Sequence, residues 1–123
     1  MFTIAVQARF NASHSVLVGA GPREAPHGHD WAVEAEVGAE RLDANGLVID
    51  FHRLERLLTE SLTEFDGALL DELPDFADAN PTAENVARTI FGKLEARLPQ
   101  GRCTLRRITV WETPTCSASY STS

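Results

Sequence analysis

An α+β fold, a four-stranded antiparallel sheet with two helices on one face in the order ββααββ, is predicted by three features of the sequence. Apolar residues alternate near both ends of the chain, and they recur at spacings of three and four in two central stretches. The 123 residues suffice for one hydrophobic core and fall short of two ordinary domains. Residues 1–123 are therefore read as a single domain.

The first strand runs from Phe2 to Phe10, where Phe2, Ile4, Val6, Ala8 and Phe10 alternate with Thr3, Ala5, Gln7 and Arg9. It leads into Asn11-Ala12-Ser13-His14, and Gly19, Gly21, Pro22 and Pro26 make the next segment a loop. Alternation resumes at Trp31 through Val33, Ala35 and Val37, a long second strand bulged or broken near Gly38. The turn-like Asp43-Ala44-Asn45-Gly46 separates it from Leu47-Val48-Ile49. Asp50 is placed to cap a helix with an apolar stripe of Phe51, Leu54, Leu58, Leu62 and Phe65, ending before Gly67. An acidic surface connection around Pro74, with at most a short helical turn, then leads to the second helix. Two starts fit that helix: Asn80 as cap with Pro81 in first position, or Thr82 as cap with Glu84 in the first turn. Val86, Ile90, Phe91, Leu94 and Leu98 form its buried face, and Pro99 with Gly101 ends it. The chain closes with the alternation of Ile108, Val110 and Glu112, a turn near Pro114, and a short return strand through Ala118 and Tyr120.

Eleven basic against eighteen acidic side chains give a formal net charge of −7, and no basic stretch offsets it locally. Such a surface repels nucleic acid and anionic lipid. The N-terminal sequence lacks a charged region followed by a long apolar run, and no segment approaches a membrane-spanning length, so a cytoplasmic location is expected. Cys103 and Cys116 are too far apart for a CxxC pair, and a structural disulfide is not expected in a reducing compartment.

Three of the four histidines fall where the strand pattern brings them together. His14 follows strand one, and His27-Gly28-His29 opens the adjoining strand with both imidazoles on one side. Three neutral imidazoles suit Zn²⁺ and leave a fourth tetrahedral position for substrate or water. An HxH pair alone is equally compatible with scattered surface histidines, and it is the hairpin that raises metal binding above that reading. His52, at a helix start beside Asp50, needs no chemistry and is left outside the site. Glu112 shares the phase of Ile108 and Val110, where a carboxylate needs matching donors or exposure at the strand end. Backbone amides or an arginine would satisfy it; so would the parallel N–H donors of an aminopyrimidine.

In order along nearly the whole chain, Phe10-Asn11-Ala12-Ser13-His14, His27-Gly28-His29, Gly46-Leu47-Val48-Ile49-Asp50-Phe51, Pro81-Thr82-Ala83-Glu84-Asn85 and Glu112-Thr113 resemble the 6-pyruvoyltetrahydropterin synthase family, which includes bacterial 6-carboxytetrahydropterin synthases. The resemblance implies the tunnelling fold (T-fold), catalytic zinc on His14, His27 and His29, and a pterin held by Glu112 with Thr82 in the binding site. It also implies a homohexamer of two trimeric rings with active sites between subunits. Two positions depart from the family pattern. Arg23 stands where synthases carry a cysteine, four residues before His27, and Asp66-Gly67 stands where an Asp-His pair is usual. Glu24 instead resembles the ExxHGH pattern of relatives that cleave the side chain of dihydroneopterin triphosphate.

Glu24 and Asp66 are thus the candidate catalytic residues, each with a plain alternative as a loop or turn residue. The resemblance implies a zinc-dependent pterin lyase acting on 7,8-dihydroneopterin triphosphate or a related dihydropterin. Side-chain cleavage to a 6-hydroxymethyl dihydropterin is the alternative reaction. A zinc-containing pterin or purine-like binding protein without turnover, and a metal-stabilised oligomeric scaffold, are the non-enzymatic alternatives.

Overall fold

The computed structural model describes residues 1–122. Five strands form one sheet in the order β3-β1-β2-β4-β5. They are β1 (Phe2–His14), β2 (His27–Ala39), β3 (Ala68–Leu69), β4 (Thr104–Thr113) and β5 (Cys116–Tyr120). Helices α1 (Phe51–Ser61) and α2 (Ala83–Glu95) lie between the two hairpins in sequence, and two short 3₁₀ turns, Leu70–Glu72 and Pro74–Phe76, fill the acidic connection. The four long strands pair antiparallel as expected. The fifth, β3, adds to the edge by pairing parallel to β1 through Ala12 and Ser13.

Strand periodicity sorts the side chains. Val6 and Phe10 of β1, Trp31, Val33, Ala35 and Val37 of β2, and Leu105, Ile108 and Val110 of β4 are buried in one cluster with the helices. Leu105 and Ile108 differ by three residues, which strict alternation would place on opposite faces. The ladder absorbs the extra residue because Glu36 pairs with Arg107 while Val37 pairs with Leu105. Arg106 is the bulged residue, and both apolar neighbours face the core. The irregularity expected near Gly38 therefore sits at Glu36–Val37, and β2 continues unbroken to Ala39.

Leu54, Leu58, Leu62 and Phe65 give the first helix and its following turn a buried stripe, as the spacing predicts. Phe51 departs from the expected stripe and is 52% exposed: it is the first helical residue, just beyond the Asp50 cap, and projects past the core edge. The cap itself is present, with Asp50 accepting from the His52 amide at 3.1 Å. For α2 the choice of caps resolves to Thr82, whose hydroxyl accepts from the Asn85 amide at 3.2 Å. Asn80 serves the preceding loop, where it accepts from Leu17 N–H and donates to Leu17 C=O.

Leu47-Val48-Ile49 forms no strand. Asp43 accepts from the Asn45 and Leu47 amides, and Arg102 donates to the carbonyls of Arg41, Leu47 and Val48. The run's polar backbone is satisfied locally while Val48 and Ile49 remain buried. Among the described residues, no helix is long and apolar enough to cross a membrane. Cys103 is partly buried, Cys116 is exposed, and both are free thiols.

Candidate metal centre and its cleft

The core face of the sheet does not end in apolar residues. Continuing the same phases, β1 ends at His14, β2 begins with His27 and His29, and β4 reaches Glu112. His14 is paired directly with His27 in the β1–β2 register, while His29 is paired with Ala12. The three rings meet edge to face with centroids 4.6–5.4 Å apart. One potential ligand atom from each of His14, His27, His29 and Glu112 falls within 4.8 Å of the other three. The group contains no cysteine.

His14 is fully buried, and its Nδ1 lies 2.8 Å from the Pro81 carbonyl oxygen. A carbonyl only accepts, so Nδ1 carries a proton, and in the neutral imidazole Nε2 presents its lone pair to the cluster. This is how a metal-ligating imidazole is oriented by an outer partner. Trp31 walls the site from beneath, its indole edge-on to His14 and His29, and its N–H is satisfied by the Ala12 carbonyl at 3.2 Å. Burial holds the His29 pKa below its ordinary value; Glu112 opposes this shift, and His27 and His14 add to it. The result favours the neutral imidazole, the form that binds a metal.

The donor set can be tested without reference to any ion. Nε2 of His14 and Nε2 of His29 are buried with no hydrogen-bond partner. Buried polar atoms are nearly always paired, and two orphaned lone pairs converging on one point fit a cation. Three imidazole nitrogens with one carboxylate oxygen match a zinc-type ion in both ligand chemistry and number.

The cluster opens into a cleft of about 310 Å³ lined by Val16, Val18, Glu24, His27, Thr82 and Glu112 among others. Glu24 enters it from the loop after β1. Its Oε1 lies 3.5 Å from His27 Nδ1 and accepts from the Val16 amide at 3.2 Å. The Glu24 carbonyl in turn accepts from the Ser15 hydroxyl. Thr82 reaches the cleft from the start of α2, with its oxygen already capping that helix.

Arg23 is held away from such chemistry by framework contacts. One of its amino groups donates to the Ser15 carbonyl at 2.6 Å and pairs with Asp71 at 3.1 Å, and Asp71 also accepts from the Ser15 amide. The position where the family resemblance implies a cysteine is here a fastening point for the loop that carries Glu24. Asp66 lies outside the cluster. It is exposed, and its Oδ1 accepts from the Asn11 amide at 3.0 Å, next to the bond from Gly67 N–H to the Asn11 carbonyl. Gly67 has φ +77°, the left-handed conformation that lets the chain turn onto the β1 edge and begin β3. His52 stays exposed beside Asp50 and is not one of the four clustered residues. Sequence reasoning did not find Pro81, Asp71 or Asn80, which orient His14 and fasten the cleft loop. A backbone carbonyl has no side-chain signature, and the two polar side chains act across long sequence separations.

A strand-hairpin fold that gathers three histidines and a carboxylate at the end of its core face defines an α+β protein with a cluster able to hold a metal ion. Its lineage is clear from comparison: the family model for 6-pyruvoyl tetrahydropterin synthase matches residues 3–123, and the chain belongs to that family. It is 33% identical over 109 residues to the dihydroneopterin monophosphate aldolase of Pyrococcus furiosus, covering 89% of this chain and 88% of the relative. It is 29% identical over 126 residues to the 6-carboxy-5,6,7,8-tetrahydropterin synthase of Bacillus subtilis, covering 97% and 84%. Its fold matches that of Caenorhabditis elegans 6-pyruvoyl tetrahydropterin synthase with a TM-score of 0.85 at 24% identity, covering 99% and 96% of the two chains. The T-fold is therefore the fold of this chain.

Proposed function

We propose that the protein cleaves the side chain of a 7,8-dihydroneopterin phosphate to leave a 6-hydroxymethyl dihydropterin, using a zinc-type ion held by His14, His27 and His29. The observation that carries this reading is the position of Glu24. Its carboxylate lines the same cleft as His27, Thr82 and Glu112, while Arg23 is engaged by Ser15 and Asp71. The similarity to an aldolase of dihydroneopterin monophosphate across most of both chains supports cleavage over carboxypterin synthesis.

In this reading Glu112 accepts the amino and ring N–H groups of the aminopyrimidine, and Thr82 presents its hydroxyl to the ring. A bound ion of this type polarises the side-chain oxygens. Glu24 takes the proton of the C2′ hydroxyl. The C1′–C2′ bond then breaks, its electron pair passes into the dihydropterin ring, and a proton returned at C1′ completes the 6-hydroxymethyl group. The remaining two carbons leave as glycolaldehyde phosphate. Asp66 keeps at most a polarising part, because its carboxylate is engaged by Asn11 and lies outside the cleft.

The test is to incubate the zinc-loaded protein with dihydroneopterin monophosphate and triphosphate and to identify every pterin product by mass. A 6-hydroxymethyl product that disappears on metal removal is expected. A 6-carboxy or 6-pyruvoyl product would replace the proposal with a synthase. Tight binding with unchanged substrate would replace it with a non-catalytic binding protein.

A further inference from the structure

Glu24 sits in a segment, residues 15–26, that belongs to no strand or helix and carries Gly19 and Gly21. A base on such a loop needs support, because a misplacement of about 1 Å costs about 10²-fold in rate. The support comes from its neighbour. Arg23 and Glu24 stand between Pro22 and Pro26, whose rings fix φ, so the short stretch is stiff and what holds one residue holds the other. Their side chains run to different partners: Glu24 to His27 and the cleft, Arg23 to Asp71 on the 3₁₀ turn after β3.

The two charges meet over Ser15, which is buried. Asp71 Oδ1 accepts from the Ser15 amide at 2.8 Å, and Arg23 Nη1 donates to the Ser15 carbonyl at 2.6 Å while lying 3.1 Å from Asp71 Oδ2. The Ser15 hydroxyl donates to the Glu24 carbonyl, and the next amide, that of Val16, donates to Glu24 Oε1 at 3.2 Å. A chain of contacts thus starts at the Arg23–Asp71 pair, passes through Ser15 and Val16, and ends on the carboxylate beside His27. The Arg23 side chain is 46% exposed, so the ion pair itself contributes little to stability. Its hydrogen bonds take both backbone groups of one buried residue, and they fix position.

We propose that Arg23 and Asp71 are a positioning pair for Glu24: they fasten Ser15, and Ser15 with Val16 holds the carboxylate in the cleft. That Glu24 is the base rests on the function proposed above, whereas the fastening stands on the contacts alone. Arg23 acts on the reaction through its neighbour and touches no reacting atom.

A double-mutant cycle on the zinc-loaded protein separates this role from general support. Turnover of dihydroneopterin monophosphate is compared in wild type, Arg23→Met, Glu24→Gln and the double variant. Arg23→Met keeps a long apolar stem and removes every donor. It should lower kcat by about 10- to 100-fold, with KM within about 3-fold of wild type and zinc content unchanged. In the Glu24→Gln background the same substitution should lower kcat no further, since the residue through which it acts is already disabled. Hydrogen exchange supplies a readout free of activity: the Ser15 and Val16 amides should exchange about 10-fold faster in Arg23→Met, the factor that one hydrogen bond of ordinary strength gives. Where Arg23→Met folds poorly, Asp71→Asn makes the same comparison, keeping an oxygen for the Ser15 amide while losing the charge that faces Arg23. Unchanged exchange at both amides would overturn the fastening. An equal loss of kcat in both backgrounds, or an unchanged kcat with faster exchange, would overturn the positioning role. Full turnover in Glu24→Gln, or no turnover by wild type, would overturn the functional reading and the catalytic half of the proposal with it, while exchange still decides the fastening.

Discussion

Glu24 and Asp66 are both acidic, both suggested as catalytic by the family resemblance, and separated by what their oxygens touch. Glu24 reaches toward His27 in the cleft, whereas Asp66 caps the Asn11 amide at the sheet edge. Glu24→Gln keeps the shape and removes the proton acceptor, so turnover should fall by about 10²-fold or more with ligand affinity little changed. Asp66→Asn retains an oxygen for the Asn11 amide and should leave turnover within a few fold of wild type. Steady-state kinetics with calorimetry on both variants would separate the two roles. Full turnover in Glu24→Gln would remove it as the base, and a loss of similar size in Asp66→Asn would restore Asp66 to the chemistry. The departures at Arg23 and Gly67 have the same physical character: a charge clamp and a left-handed turn stand where the family resemblance implies a thiol and an imidazole.

At the scale of elements, the loop from Glu40 to Asp50 and the cleft loop from Ser15 to Pro26 are held by side chains acting on backbone. Arg102 makes three charged hydrogen bonds to carbonyls of the first loop. Arg102→Ala should destabilise the protein by about 1.5–3 kcal/mol, the value of hydrogen bonds to a charged group, read as a lower urea midpoint with an unchanged slope. An unaltered midpoint would show that the loop is held without Arg102, by the Asp43 turn and the buried Val48 and Ile49. What was legible in the sequence follows from this division. Period-two alternation exposed the core faces of β1, β2 and β4 and, because its phase continues in β4, pointed to Glu112; the histidines were legible from the hairpin and the i, i+2 spacing of His27 and His29. The helix stripes were legible from their own spacings of three and four. Two residues of β3 are too few to show a period, and Leu47-Val48-Ile49 has strand composition while its carbonyls are taken by a distant arginine. Phe51 matched the helical spacing, but spacing does not reveal where the core ends.

The whole molecule presents two unfinished sheet edges, at β3 and at the serine-rich β5, and a cleft whose mouth carries the 73%-exposed Val18. Edge-to-edge association into rings would cover both, in line with the hexamer that the family resemblance implies. Light scattering across a range of protein concentrations should give a particle of six chains, and a stable monomer or dimer would contradict it. The central claim is that this assembly, loaded with metal, breaks one carbon–carbon bond in the dihydropterin side chain. Dihydroneopterin monophosphate carrying ¹³C at both C1′ and C2′ tests it most directly, with products followed by NMR and mass spectrometry. The account predicts that the labels separate, C1′ into the 6-hydroxymethyl group and C2′ into the aldehyde carbon of glycolaldehyde phosphate. Both labels in a single pterin product, or a C2′ fragment that has lost its phosphate, would contradict it.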